Sequence, residues 1–213
     1  MPKLKPDVQR ARREHIMDAA EKCFVERGFH RTSIHDICRE AGVSPGALYV
    51  YFNSKEALIA GIAERDRAEF AENFAMLAEA PDFLEALRAL GEHYFVDEPP
   101  HRRRMCIEIG LEATRDPRIG QIFREVDEYV TASFAKLFQK LKDEGRIAPV
   151  VDIPNLVTIF DLIGDGLFWR RAVDPQFDAK AMVSAALEAL KILLNPVPRE
   201  SAAGVDTARE GRS

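Results

Sequence analysis

Thr32-Ser33-Ile34-His35-Asp36-Ile37-Cys38-Arg39-Glu40-Ala41-Gly42-Val43-Ser44-Pro45-Gly46-Ala47-Leu48-Tyr49-Val50-Tyr51-Phe52 holds two short helical patterns on either side of one glycine. In the first, Thr32 or Ser33 supplies a hydroxyl to cap a helix that runs through Ile34, Ile37 and Cys38 to Ala41, and Gly42 stops it. In the second, Ser44 is the cap, Pro45 takes the first helical position that its fixed φ suits, and the helix runs on to Phe52. Two short helices around a glycine turn make a helix-turn-helix. Leu48 and Phe52 lie four apart and pack inward on Phe24 and Ile37, so Ala47, Tyr49 and either Val50 or Tyr51 point elsewhere. Gly46 and Ala47 are small, which lets the second helix approach a major groove, where methyl groups and backbone meet base edges.

Helical spacing continues outward in both directions. Upstream, a helix over about Arg10 to Arg27 carries Ile16, Ala20, Cys23 and Phe24 on one stripe and closes at Gly28. Residues 1–9 read as a basic flexible arm, and Lys3, Lys5, Arg10, Arg12 and Arg13 stand against Asp7 alone at this end. Such a cluster suits phosphates, although a solubilising tail has the same composition. Downstream, Asn53-Ser54-Lys55-Glu56 opens a long fourth helix to Glu79, and prolines and acidic caps divide the rest into helices over about 82–97, 101–114, 117–145, 154–172 and 177–194. No sustained two-residue alternation marks a strand. The expected fold is all-α with about nine helices: a helix-turn-helix domain over 10–56, a larger helical domain over 57–195, and a disordered tail over 196–213 that lacks apolar periodicity.

Composition excludes several classes. With 46% hydrophobic and 31% charged residues among 213, the chain matches ordinary globular proteins, not disordered or fibrous ones. No apolar run reaches the roughly 18 residues of a membrane span, and no apolar stretch or cleavage site follows the basic N-terminus, so a cytoplasmic protein without a membrane partner is expected. Cys23, Cys38 and Cys106 fit neither a disulfide framework nor a zinc site and read as buried thiols. No HExxH, GxSxG, P-loop or GxGxxG constellation is present, which makes a helical enzyme the weakest reading, and no cofactor or metal is expected. The net charge of −5 hides an asymmetry: residues 1–60 hold 10 Lys and Arg against 8 Asp and Glu, and the remainder 20 against 27. A basic end sits on an acidic body.

The alanine pair and Phe24 of the first helix, the Gly28-Phe29 exit, Thr32, the Ala41-Gly42-Val43-Ser44 turn, Tyr49-Val50-Tyr51-Phe52 and Lys55-Glu56 stand in one register. Together they resemble the DNA-binding domain of the tetracycline-repressor (TetR) family. That resemblance implies a dimeric, ligand-responsive repressor on a palindromic double-stranded operator. Thr32, Ser33, Ser44, Tyr49, Tyr51 and Lys55 would hold the DNA backbone, while Pro45, Gly46 and Ala47 would face the bases. Lys55 at a helix start opposes the helix dipole, which independently suggests an anionic partner. Tyr51 and Pro45 depart from the residues common in the family, so base preference does not transfer.

For the larger half the resemblance implies an effector pocket within helices four to eight and a homodimer through helices eight and nine. Phe70, Phe74, Tyr94, Phe95, Met105, Ile109, Phe123, Tyr129 and Phe134 are candidate pocket residues, with His93, Asp161 and Asp165 as polar contacts, although the same residues read equally as core and the two aspartates as seam. Phe160, Gly164, Leu167, Phe168, Trp169, Met182, Ala186 and Leu190 are the expected dimer interface. His101-Arg102-Arg103-Arg104 reads as a solvated helix start, with preference for an anionic effector as the alternative. A DNA-binding regulator with no small-molecule effector is the second reading of the whole chain.

Overall fold

The computed structural model describes residues 5–197. Its helices are α1 (Pro6–Arg27), α2 (Ile34–Glu40), α3 (Pro45–Tyr49), α4 (Lys55–Glu79), α5 (Phe83–Glu92), α6 (Pro100–Ala113), α7 (Pro117–Asp143), α8 (Ile153–Val173) and α9 (Ala179–Leu194), with a π-helical turn over His93–Asp97 continuing α5. Among the described residues the one β-type pairing is an isolated antiparallel bridge between Ile147 and Pro196.

Local chemistry sets most of these boundaries. Ser33, Ser44, Ser54, Asp82, Asp116, Asp152 and Asp178 each accept a backbone N–H at the start of the helix that follows. Gly42 holds φ +61° between α2 and α3, a left-handed conformation that side chains with a Cβ rarely take. Helix α1 begins four residues earlier than the apolar stripe predicts, because Pro6 serves as a first helical residue and Arg10 pairs with Asp7. Residues 6–9 of the expected arm are therefore helical, while residues 1–4 lie outside the described part. At the other end Val197 donates its N–H to the Arg146 carbonyl at 2.9 Å, so the first two residues of the expected tail are tied down. Residues 198–213 lie outside the described part.

Two apolar cores result. The first gathers Ile16, Ala20, Phe24, Ile37, Leu48 and Phe52 from α1 to α3 and extends through Leu58, Ile59 and Ile62 of α4 to Met105 of α6 and Ile119 of α7. The second packs Leu77, Phe83, Leu87, Phe134, Leu137, Phe138, Leu141, Leu156, Leu190 and Leu194. Helix α4 belongs to both, with its first half in one and Leu77 in the other. Gly61 permits this crossing: a Cβ there would stand 2.9 Å from both Met17 Sδ and the Phe52 ring. Ion pairs lace the same junction. Arg65 bridges Asp18 and Glu21 at 2.6 and 2.5 Å, and Arg102 joins Glu21 to Asp66 at 3.1 and 2.5 Å.

Candidate functional site

Helix α3 spans five residues and would be marginal alone. Leu48 and Phe52, 0% and 3% exposed, anchor it in the first core, and Tyr49 and Val50 beside them are 53% and 77% exposed. The one-residue steps around a buried Leu48 thus turn neighbouring side chains to solvent. Ser44 and Gly46 are also exposed, and Pro45 and Ala47 are partly so. Val50, which the sequence leaves as an alternative to Tyr51, is the outward one; Tyr51 packs against the first core.

Three expected backbone-binding side chains are otherwise engaged. Thr32 is 2% exposed, and its hydroxyl donates to the carbonyls of Cys23 and Gly28 at 3.0 and 2.8 Å. It staples the end of α1 and lies off the exposed surface, because α1 and α2 close over it. Ser33 is exposed, but its hydroxyl proton goes to Asp36 Oδ2 at 2.6 Å while its oxygen accepts the Asp36 N–H at 3.1 Å, completing a capping box. Lys55 Nζ donates to the Phe29 carbonyl at 2.7 Å and lies 4.3 Å from the Phe29 ring centroid, so burial lowers its pKa. It ties α4 to the α1–α2 loop. Asp36 also meets Arg27 at 2.6 Å and Arg39 at 2.5 Å. The Ser33 hydroxyl and N–H, with Arg27 and Arg39, hold its carboxyl well below the usual carboxylate range.

In the larger half the structure divides the expected pocket. Phe70, Phe74, Tyr94, Tyr129 and Phe134 do meet, with Phe70 5.5 to 6.3 Å from the other four rings. Asn73 donates to the Tyr94 hydroxyl at 3.2 Å, and Thr131 donates to Asp161 at 2.9 Å, whose carboxyl burial pushes up. The remaining expected residues lie elsewhere. Met105 and Ile109 belong to the first core, because α6 lies along α1 there. Phe123 is 49% exposed and sits against Gly110. His93 is exposed and pairs with Glu69 at 3.6 Å, since the π-turn carries it outward, and Asp165 is exposed.

Of the expected interface residues, Phe160 lies 4.2 Å from Phe134, Leu190 is 4% exposed within the second core, and Gly164 faces Phe95. These three face inward because each of α8 and α9 is apolar on two sides. Leu167, Phe168 and Ala186 are partly buried. Trp169 and Met182 are exposed, at 56% and 43%, and continue outward stripes of Leu162, Trp169 and Val173 on α8 and of Met182, Ala185, Ala189 and Ile192 on α9.

The basic run at the start of α6 is also not what its composition suggests. His101 and Arg104 are exposed, but Arg103 is fully buried and donates to the Phe95 and Glu98 carbonyls. Its Nε and that of Arg171 on α8 are buried without a partner. The sequence signal was present in the run itself, but nothing in it distinguishes the inward arginine. Burial pushes the pKa of the Cys106 thiol beside it up to about 12.

An outward short helix on a buried base, preceded by a glycine turn, is the surface of a helix-turn-helix DNA-binding protein. The chain belongs to the tetR family of bacterial regulatory proteins: the family's N-terminal model matches residues 16–62, and the C-terminal model of BetI-type transcriptional repressors matches residues 83–195. It is a transcriptional regulator, not an enzyme. The HTH-type transcriptional regulator UidR of Escherichia coli (strain K12) is 31% identical over 66% of this chain and 71% of its own. Among solved structures, Salmonella enterica GusR superposes with TM-score 0.74 at 27% identity over 86% of this chain and 95% of its own. FadR from Bacillus subtilis, in complex with stearoyl-CoA, superposes with TM-score 0.71 at 20% identity over 83% and 96%. Among the described residues no helix is long and apolar enough to cross a membrane.

Proposed function

We propose that this regulator represses transcription as a homodimer on an inverted-repeat operator and leaves it when a small molecule occupies the larger helical half. The observation that carries the reading is the exposed Tyr49 and Val50 on a helix whose Leu48 is fully buried. This geometry offers a rigid ridge to a major groove, with Gly46 and Ala47 at its leading end for close approach and Ser44 and Pro45 at its edge. Tyr51 packs on the core beneath that ridge, Lys55 fixes α4 to the α1–α2 loop, and the spare protons of its ammonium remain for phosphate. A single short helix contacts few base pairs, so two copies spaced by a helical turn are needed for useful affinity. The outward apolar stripes on α8 and α9 fit that pairing, with Trp169 as an anchor. The protein acts in the cytoplasm, where its DNA partner lies.

The aromatic cluster of Phe70, Phe74, Tyr94 and Tyr129 is the effector region in this reading. Phe70 and Phe74 stand on α4 itself, whose first half belongs to the first core, so a ligand that favours one setting of α4 changes the spacing of the two α3 ridges. The B. subtilis FadR complex illustrates that this fold has room for a ligand. Sedimentation of the purified chain with a selected operator duplex, followed by a compound screen read by fluorescence anisotropy, tests the reading. Two protomers per duplex and release by at least one compound are expected; a stable one-to-one complex contradicts it, and a dimer that nothing releases favours a regulator without effector.

A further inference from the structure

Arg103 is the largest fully buried side chain in the described residues, and it carries a charge. Its two hydrogen bonds, from Nη1 at 3.4 Å and Nη2 at 2.5 Å, go to the carbonyls of Phe95 and Glu98, which neutralise nothing. Helix α8, which packs against α6 and the π-turn, brings a second guanidinium, that of Arg171, whose Nε is likewise buried without a partner; burial first, and Arg171 second, disfavour the charge on Arg103. No carboxylate among the described residues lies within ion-pair distance of either, whereas Arg102 next door has two. Glu98, at the end of the π-turn, gives Arg103 its backbone carbonyl and makes no ion pair with it, and burial raises the pKa of its carboxyl. Asp66 is committed to Arg102, and Cys106 is a protonated thiol. An isolated buried cation is costly, and a half-buried second guanidinium with a buried, unpartnered Nε adds to that cost, so such an arrangement persists where an anion completes it.

The surroundings narrow the anion. Arg103 is sealed within one chain, which excludes a macromolecular partner. The carbonyls it holds belong to the π-turn and its C-terminal boundary, and π-turns recur at functional sites. Tyr94, on the same turn, reaches the aromatic cluster through Phe70 at 6.1 Å. A charged fork and an apolar wall therefore lie on two sides of one five-residue segment. We propose that Arg103 and Arg171 form the anion-recognising end of the effector site, and that the effector is a small organic carboxylate whose apolar body lies against Tyr94 and Phe70. A carboxylate matches the guanidinium fork and can accept from both arginines at once. This rests on the effector-responsive reading above and adds the chemical class of the ligand.

The test uses matched probes on the full chain: decanoate and 4-phenylbutyrate against decanamide and 4-phenylbutyramide, which share shape and differ in charge. Binding is read by thermal shift at fixed ionic strength, and operator release by anisotropy in parallel. At least one acid is expected to bind tenfold or more tighter than its amide, with the preference lost in Arg103→Met and in Arg171→Met. Because Arg103→Met removes two carbonyl bonds and risks the fold, Arg171→Met, which breaks none, carries the comparison. Acids that bind no better than amides, or a preference that survives Arg171→Met, overturn the proposal. An acid that binds through both arginines but leaves the operator occupied supports the anion site and refutes the effector reading. Release by a neutral compound at unchanged affinity in Arg171→Met does the reverse.

Discussion

In the proposed function Tyr49 and Lys55 carry separate roles on the DNA side, and single substitutions separate them. Tyr49 is exposed and anchored by its neighbours, so Tyr49→Ala is expected to weaken operator binding by about 1–3 kcal/mol while leaving affinity for random DNA and the melting temperature nearly unchanged. Competition anisotropy reads this, and equal losses on both DNAs would mean that Tyr49 does not read sequence. Lys55→Ala breaks the bond to the Phe29 carbonyl and removes the phosphate contact proposed for this side chain, so it should lower stability by about 1–2 kcal/mol and weaken all sequences alike. An unaltered melting temperature would show the bond to be idle. Ser33→Ala removes the α2 cap and should cost about 1 kcal/mol. Its partner Asp36 has a depressed pKa, led by the Ser33 hydrogen bonds, so its stabilisation is fully present above the ordinary value of 3.8 and is lost as pH falls below it. Asp36→Asn should therefore flatten the acid side of the stability curve; an acid limb as steep as the parent's would contradict the assignment. Hydroxyls near a helix start look alike in sequence, and only packing distinguished the buried Thr32 from the exposed cap Ser33.

The elements were far more legible than the individual contacts. Caps and prolines act within a few residues, which is why α2, α4, α6 and α8 fall close to their expected bounds. The π-turn after α5 escaped notice because it keeps the apolar spacing of a helix while changing its hydrogen bonds. The junction of α1, α3 and α4 at Gly61 was equally invisible, since close approach is a tertiary property. Gly61→Ala should cost about 1–3 kcal/mol, because a Cβ meets the buried Phe52 ring as well as the more yielding Met17, and should disturb the seat of α3. Urea unfolding with operator affinity on the same samples tests this; a variant unchanged in both would show that the junction has slack.

For the whole molecule, sequence pattern gave helix count and the likeness of the first half, but could not choose between the two apolar sides of α8 and α9. Phe160 and Leu190 faced inward, and Trp169 and Ile192 outward, for reasons that only the packed bundle contains. Trp169→Glu together with Ile192→Glu should leave helicity intact, yield monomers in sedimentation, and reduce operator affinity about a hundredfold or more through lost bivalency. A double variant that stays dimeric would place the interface elsewhere. Whether a dimer reads an inverted repeat through two α3 ridges is answered most directly by selecting duplexes from a random pool with the purified, refolded chain. Two matching half-sites in inverted orientation, centred about one helical turn or a multiple of it apart, are the expected result. Enrichment of a lone half-site, or of no sequence at all, would contradict it.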